Sequence, residues 1–402
     1  MASQALSLFG SSLVSYAILW RITLDTQSGS IMTVYLLFGF LPTFFLSPFA
    51  GVWADRYNRK HLIMLADGAI ALATLILAVL FLADYRALWL LFVIPLVRAL
   101  GSAVQTPAVN AFLPQIVPEE KLMRINGLFS GVNSVIMLIS PMASGALLTF
   151  VSLEFILMID VVTALAAILV MTMLHVPDRV KAPQQQAANY WLELKAGLHY
   201  IRHHAYLGRF FVSITFLFFL VTPVALLTPL QVTRSFGQDI WRLTAIEVVF
   251  SVGMLGGGLL IAAWGGFRNR VRMMALAAML MGVTTFLLGV VQNFWVYLAI
   301  MAVIGITLPF YNTPATVLLQ EKVAPDYLGR VFGLLSMVSS GVMPIAMLIF
   351  GPLADTLSIE WLLISSGLLL TILATSLNWN KSLLLAGEPQ LHAAAAQQPQ
   401  TQ

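Results

Sequence analysis

The sequence predicts an all-α membrane protein: twelve transmembrane helices arranged as two parallel six-helix repeats. Three observations predict it. Hydrophobic residues make up 59% of the 402 and charged residues only 9%, where a soluble domain carries about a quarter charged residues. Apolar runs of about 20 residues, the length that crosses a bilayer as a helix, recur twelve times between charge clusters. The two halves of the chain also match each other at a constant spacing. The net charge of +4 is spread too thinly to form a basic stripe, so the expected partner is the lipid bilayer and no nucleic acid. Cysteine is absent, which removes disulfides and thiolate metal sites.

The spans fall at about 3–24, 32–54, 62–83, 88–110, 122–150, 154–175, 209–231, 241–264, 272–291, 294–317, 328–353 and 358–379, to within about 2–4 residues. They predict an N-terminal bundle (1–176), a cytoplasmic linker (177–205), a C-terminal bundle (206–380) and a disordered tail (381–402). The first run lacks the basic segment and cleavage pattern of a signal peptide, so it is expected to stay as a helix. Gln4, Ser7, Ser11 and Ser15 recur every three or four residues and put a polar stripe on that helix, which should face a cavity. In the linker, Trp191, Leu194, Leu198 and Ile201 alternate with charges at helical spacing and predict a helix on the inner membrane surface. His199, His203 and His204 have no third ligand nearby and no His-Glu-x-x-His frame, so no metal is expected.

Loop charges set the orientation. With both termini inside, Arg21, Arg86, Arg234 and Arg242 fall outside and Arg98 within a span, leaving the other sixteen of the 21 Lys and Arg cytoplasmic. The positive-inside rule selects that arrangement. The repeat rests on polar landmarks. Arg124, Gly127, Leu128 and Ser130 recur as Arg330, Gly333, Leu334 and Ser336 at an offset of 206, which also carries Gly145 onto Gly351 and Glu154 onto Glu360. Gln105-Thr106-Pro107-Ala108 returns as Asn312-Thr313-Pro314-Ala315. Six helices lie within the offset, an even number, so the halves are parallel.

Charges inside the spans are the candidate machinery. Arg98 lies about ten residues into the fourth span, near the midplane at about 1.5 Å per residue, where a cation needs a partner or water. Asp67, Asp160 and Glu247 lie in the third, sixth and eighth spans. Desolvation disfavours the charged form of a carboxyl group, the property a proton carrier needs. Arg98 and Asp160 are the leading pair for proton coupling, ahead of Asp67 and Glu247. No Walker lysine follows the glycine cluster Gly253, Gly256, Gly257 and Gly258, so ATP is not expected as the fuel, and no cofactor is expected. A Ser/His/Asp catalytic grouping is likewise missing from the sequence, and no enzyme activity is expected.

The loop after the second span reads Gly51-Val52-Trp53-Ala54-Asp55-Arg56-Tyr57-Asn58-Arg59-Lys60. It resembles the signature loop of the major facilitator superfamily, Gly-x-Leu-Ala-Asp-Arg-x-Gly-Arg-Lys, departing at Trp53 and Asn58. Asn tolerates the left-handed conformation that a turn glycine would supply. A weaker copy, Trp264 to Arg270, stands at the matching place in the second half without the Asp. Arg98-Ala99-Leu100-Gly101 is similar to the Arg-and-Gly motif of proton-coupled members. Ser140-Pro141-Met142-Ala143-Ser144-Gly145 resembles the antiporter motif Gly-Pro-x-x-Gly-Gly, with serines for two glycines. Taken whole, the chain resembles the macrolide efflux branch of drug:proton antiporters.

That resemblance implies an inner gate in which Asp55, with Gly51, Arg56, Arg59 and Lys60, meets the positive end of the eleventh helix. It implies proton-driven export of a small amphiphilic substrate, such as a macrolide, by a monomer in the bacterial inner membrane. A substrate cavity is expected from Gln4, Ser7, Ser11, Ser15, Asn126, Ser130, Asn133, Tyr311 and Asn312 set among Phe, Met and Leu. Two alternatives stay open: export of a siderophore or another endogenous metabolite, and a non-transporting receptor or assembly protein on the same scaffold.

Overall fold

A computed structural model of the chain describes residues 2–117, 119–173, 190–379 and 381–388. Every element among them is a helix. In the first half these are α1 (Ala2–Thr26), α2 (Gly29–Arg56), α3 (Arg59–Leu82), α4 (Leu90–Ile116), α5 (Glu119–Phe150) and α6 (Leu153–Met173). The linker helix is α7 (Tyr190–His203). The second half holds α8 (Ala205–Leu226), α9 (Thr228–Ser235), α10 (Ile240–Trp264), α11 (Arg270–Val290), α12 (Phe294–Lys322), α13 (Pro325–Thr356), α14 (Ile359–Trp379) and α15 (Lys381–Ala386). Twelve segments are long and apolar enough to cross a membrane, as the hydropathy pattern predicts.

Helix starts follow from local chemistry. Ser28, Asn58, Asn269 and Asn293 are extended residues whose side chains accept from the first backbone N–H groups of α2, α3, α11 and α12, satisfying donors that have no intrahelical partner. Asn58 therefore does not do what its place in the loop suggested. Its φ is −65°, outside the left-handed region, and its side-chain oxygen accepts from Lys60 N at 3.0 Å. The seventh span is broken: Leu227 separates α8 from α9, with Pro at the start of α9 and Pro223 inside α8.

Contacts divide the described residues into two units. Unit 1 takes them from Met1–Gln186, Ala225–Ser251 and Pro344–Ile359; unit 2 takes Ala187–Val224, Val252–Met343 and Glu360–Gln402. In unit 1, α1, α3, α4 and α6 bury Leu13, Ile18, Leu77, Ile94 and Ile156 in one cluster. Ile63, Ala108, Phe112 and Met171 form a second cluster. Lipid tails are as apolar as these side chains, so close packing and polar contacts, more than water exclusion, hold such helices together.

In unit 2, α10 and α12 cross at Gly253 and Gly257. A Cβ at Gly257 would come within 2.9 Å of the Ile306 Cα, and one at Gly253 within 3.2 Å of the Gly305 Cα. Packing explains Gly253 and Gly257, whereas a Cβ at Gly256 or Gly258 would meet nothing within 4 Å among the described residues. The linker helix α7 docks on α13 through Gly197, which faces Arg330 and Leu334. Tyr200 stacks on Tyr327 at 4.2 Å. Its buried face includes Ile201 of the predicted stripe, while Leu198 is exposed and the side chains of Trp191 and Leu194 lie outside the described residues. The start of the expected disordered tail is helical. Gly387 O accepts from Arg270 N at 2.9 Å and Leu384 O from Asn269 Nδ2 at 2.9 Å, tying α15 to the start of α11.

Candidate functional site

The intramembrane charges of α3, α4 and α6 in unit 1 lie in two polar tiers built with α1. Asp160, 1% exposed, sits in α6 and is ion-paired with Arg98 Nη2 of α4. Thr74 Oγ1 of α3 donates to Asp160 Oδ2 at 3.1 Å, and Ser11 Oγ of α1 reaches Oδ1 at 3.5 Å. Gly10 makes room for this approach, because a Cβ there would lie 3.0 Å from Asp160 Oδ1 and overlap Thr163. Gly101 does the same between α4 and α3, where a Cβ would come within 2.7 Å of Ile70 Cδ1.

A second tier surrounds Asp67. Ser7 Oγ donates to its Oδ1 at 2.6 Å and Gln105 Nε2 to the same oxygen at 2.8 Å; Gln105 also donates to Gln4 Oε1 at 3.3 Å. Asp67 to Thr74 and Arg98 to Gln105 are each spaced by seven residues, two helical turns, so the tiers lie about 10 Å apart along the same helix faces. Arg98 is 8% exposed, and its Nε and Nη1 have no hydrogen-bond partner among the described residues. A buried donor left unmade is costly. The guanidinium therefore holds donors in reserve.

This geometry brings Arg98, Asp160 and Asp67 together with Gln4, Ser7 and Ser11. The polar stripe of α1 faces α3 and α6: Gln4 and Ser7 are buried, Ser7 and Ser11 are spent on carboxylates, and Ser15 bonds its own helix at Ser11 O. In this structure those residues serve the acids, because a desolvated carboxylate takes the nearest donors. Thr74 and Gly10 were not singled out from sequence and Gln105 only as a landmark of the repeat, though the seven-residue spacings to Asp67 and Arg98 could have found Thr74 and Gln105 as site residues.

The other candidates lie apart. Asp55 and Arg56 end α2, and the side chains of Gly51, Asp55 and Arg56 lie outside the described residues, as do those of Asn126 and Ser130. Arg59 is buried, and Lys60 Nζ donates to Thr172 O at the end of α6 at 3.0 Å. Asn133 is half-buried on α5; in unit 2, Tyr311 is buried and Asn312 exposed. Ser140 and Ser144 are fully buried with hydroxyls unpartnered among the described residues, and Pro141 and Gly145 are buried beside them. Glu247 is half-buried in α10.

One end of unit 1 carries a latch that the sequence did not announce. Asp355 of α13 accepts from Gly29 N at 2.7 Å, Ser30 N at 2.9 Å and Ser28 Oγ at 2.9 Å, at the start of α2. Arg234 of α9 pairs with Asp355 at 3.3 Å and donates to Gln27 O and Ala354 O. Thr33 Oγ1 adds a bond to Met347 O at 3.2 Å.

A family model described as Major Facilitator Superfamily matches residues 1–347. The chain belongs to the major facilitator superfamily. Within that superfamily it is 30% identical to Macrolide efflux protein A of Streptococcus pyogenes over 374 residues, 92% of each chain. It is 31% identical to the Enterococcus faecalis protein of the same name, over 79% of this chain and all of that one. The Staphyloferrin A transporter of Staphylococcus aureus is 22% identical over 79% of both. A crystal structure of the nucleoside transporter NupG shares the fold at TM-score 0.66 and 15% identity, covering 94% of this chain and 96% of that one. The fold and the relatives are those of membrane transporters.

Proposed function

We propose that this superfamily member is a proton-coupled exporter of a bulky amphiphilic compound, a macrolide first among them. The single observation that carries the coupling is the two-tier network of Arg98, Asp160 and Asp67. With all three ionised, two carboxylates and one guanidinium leave a net negative charge buried in the bundle. One proton makes the network neutral, which lowers the cost of keeping it away from water. Protonation of Asp160 also frees Arg98 from its partner, so proton uptake loosens the tie between α4 and α6. Both termini are read as cytoplasmic, the membrane as the bacterial inner membrane, and the unit as a monomer. The macrolide assignment draws on the two relatives at 30% and 31% identity.

Everted vesicles energised by a pH gradient should accumulate labelled erythromycin, and a protonophore should abolish the uptake. Uptake equal to that of empty vesicles, with protons still released in response to another amphiphile, would remove the macrolide and keep the antiporter. The siderophore relative supplies the second reading. Under it the same vesicles take up a ferric-ion chelator and ignore erythromycin.

A further inference from the structure

Cations gather around the tail helix at one end of unit 2. There α15 bonds to three other helices. Ser382 Oγ accepts from Arg209 of α8, and Glu388 O accepts from Lys322 Nζ at the end of α12 at 3.0 Å. Between them, Leu384 O and Gly387 O accept from Asn269 Nδ2 and Arg270 N at the start of α11. Ser382 and Glu388 are six residues apart, about 9 Å along a helix, so α15 measures the spread of the cluster. Arg268 and Arg272 flank Arg270 and bring it to five cations, against the neighbouring acids Glu321 and Glu388. Like charges this close repel unless an anion offsets them.

The inner members of the cluster are spent. Arg270 pairs with Glu321 at 3.5 Å and donates to Phe267 O at 3.4 Å, and the first N–H groups of α11 are taken by Gly387 O and Asn269 Oδ1. Arg268 and Arg272 differ. Both are exposed, and neither guanidinium has a hydrogen bond or ion pair with a described residue. The same end of unit 2 is also apolar at its surface. Trp264 closes α10, Trp379 closes α14, and Leu385 lies on the outer face of α15, with exposures of 55%, 84% and 68%; Leu383, on the opposite face, is 2% exposed. Trp264 packs edge-on against Phe267, the residue before Arg268, with ring centroids 5.0 Å apart. Exposed tryptophans at span ends mark the level of the membrane–water interface. The two unpaired guanidinium groups therefore stand at headgroup depth.

We propose that this surface binds the phosphate headgroup of an anionic membrane lipid. Arg268 and Arg272 contact the phosphate, whose oxygens fit the planar guanidinium donors, while Trp264, Trp379 and Leu385 lie against the glycerol and the upper acyl chain. Basic groups clustered at span ends attract anionic headgroups on the same electrostatic grounds. A merely solvated charge cluster gains nothing from the exposed Leu and Trp beside it. A small free anion would use the N-terminus of α11, which Asn269 and the tail already fill. The site requires only that the chain spans a bilayer, so it is independent of the export reading.

Binding of fluorescent phosphatidylglycerol and phosphatidylcholine to the purified full chain in uncharged detergent tests it. Wild type should prefer phosphatidylglycerol, and the preference should shrink at about 1 M salt, where the Debye length is about 3 Å. Arg268→Gln and Arg272→Gln should each cut the preference by about fivefold. Arg268→Lys combined with Arg272→Lys keeps both charges and should keep most of it. Lys195→Gln combined with Arg202→Gln removes two exposed cations of α7 and should leave it unchanged. Equal binding of the two lipids by wild type would overturn the site, and so would a wild-type preference in the doubly Gln-substituted Arg268 and Arg272 variant. An equal loss in the α7 variant would overturn it in favour of diffuse charge. Displacement of the lipid by millimolar inorganic phosphate would overturn the lipid assignment in favour of a free-anion site.

Discussion

Arg98 and Asp160 illustrate what a single ion pair does where water is absent. Each charge is tolerable because of the other, so removing one leaves the second buried and uncompensated, a loss of about 3–5 kcal/mol. Arg98→Leu should therefore lower the unfolding temperature in detergent more than Arg98→Leu combined with Asp160→Leu does. A double variant less stable than the single one would mean that the pair is not coupled as drawn. In transport, Asp160→Asn should abolish export driven by a pH gradient yet keep substrate binding, while Arg98→Ala impairs both. An Asp160→Asn protein exporting with wild-type pH dependence would remove Asp160 as the proton carrier. At this scale the charges were legible in the sequence, because an Arg or Asp inside an apolar run is rare. Thr74 and Gln105 were not legible by residue type, since neutral polar residues are common in membrane helices; their seven-residue spacings from Asp67 and Arg98 were the one signal that pointed to them.

Among the elements, α2 depends on a residue more than 300 positions away. Its first backbone N–H groups point at Asp355, and a carboxylate at a helix N-terminus contributes about 0.3–2 kcal/mol depending on burial. In the export reading, this end of unit 1 must open to release cargo, and the latch opposes that. Asp355→Asn should therefore raise the population of the open state, read by spin-label distances between residues 30 and 353. Unchanged distances and unchanged transport would reduce the latch to ordinary capping. Sequence periodicity found the helices α2 and α13 but not the latch, which joins distant segments through backbone donors that no side-chain pattern encodes. It missed the break in the seventh span for a related reason: Leu226 and Leu227 keep the run apolar across the interruption. The tail helix α15 was hidden by the Ala and Gln runs that follow it.

For the whole molecule, the positions of arginine decide which way the chain sits in the bilayer, and the structure accounts for the four that the orientation places outside. Arg21 pairs with Asp25 at 2.7 Å, Arg86 with Glu154 at 3.2 Å, Arg234 with Asp355 at 3.3 Å and Arg242 with Asp239 at 3.2 Å. Each of these cations is held by an acid within unit 1. The repeat and the span count were legible because both depend on composition and order along the chain, which apolar length and a constant offset report without tertiary knowledge. Orientation is a further step, since orientation lies outside the fold itself and follows from how Lys and Arg are retained during insertion. The chain has no natural cysteine, so single cysteines at exposed Asn58 and Gln238 can be labelled with an impermeant thiol reagent. In intact cells Gln238→Cys should label and Asn58→Cys should not; permeabilisation should expose both. Labelling of Asn58→Cys in intact cells with Gln238→Cys protected would invert the topology, and with it the direction of proposed transport.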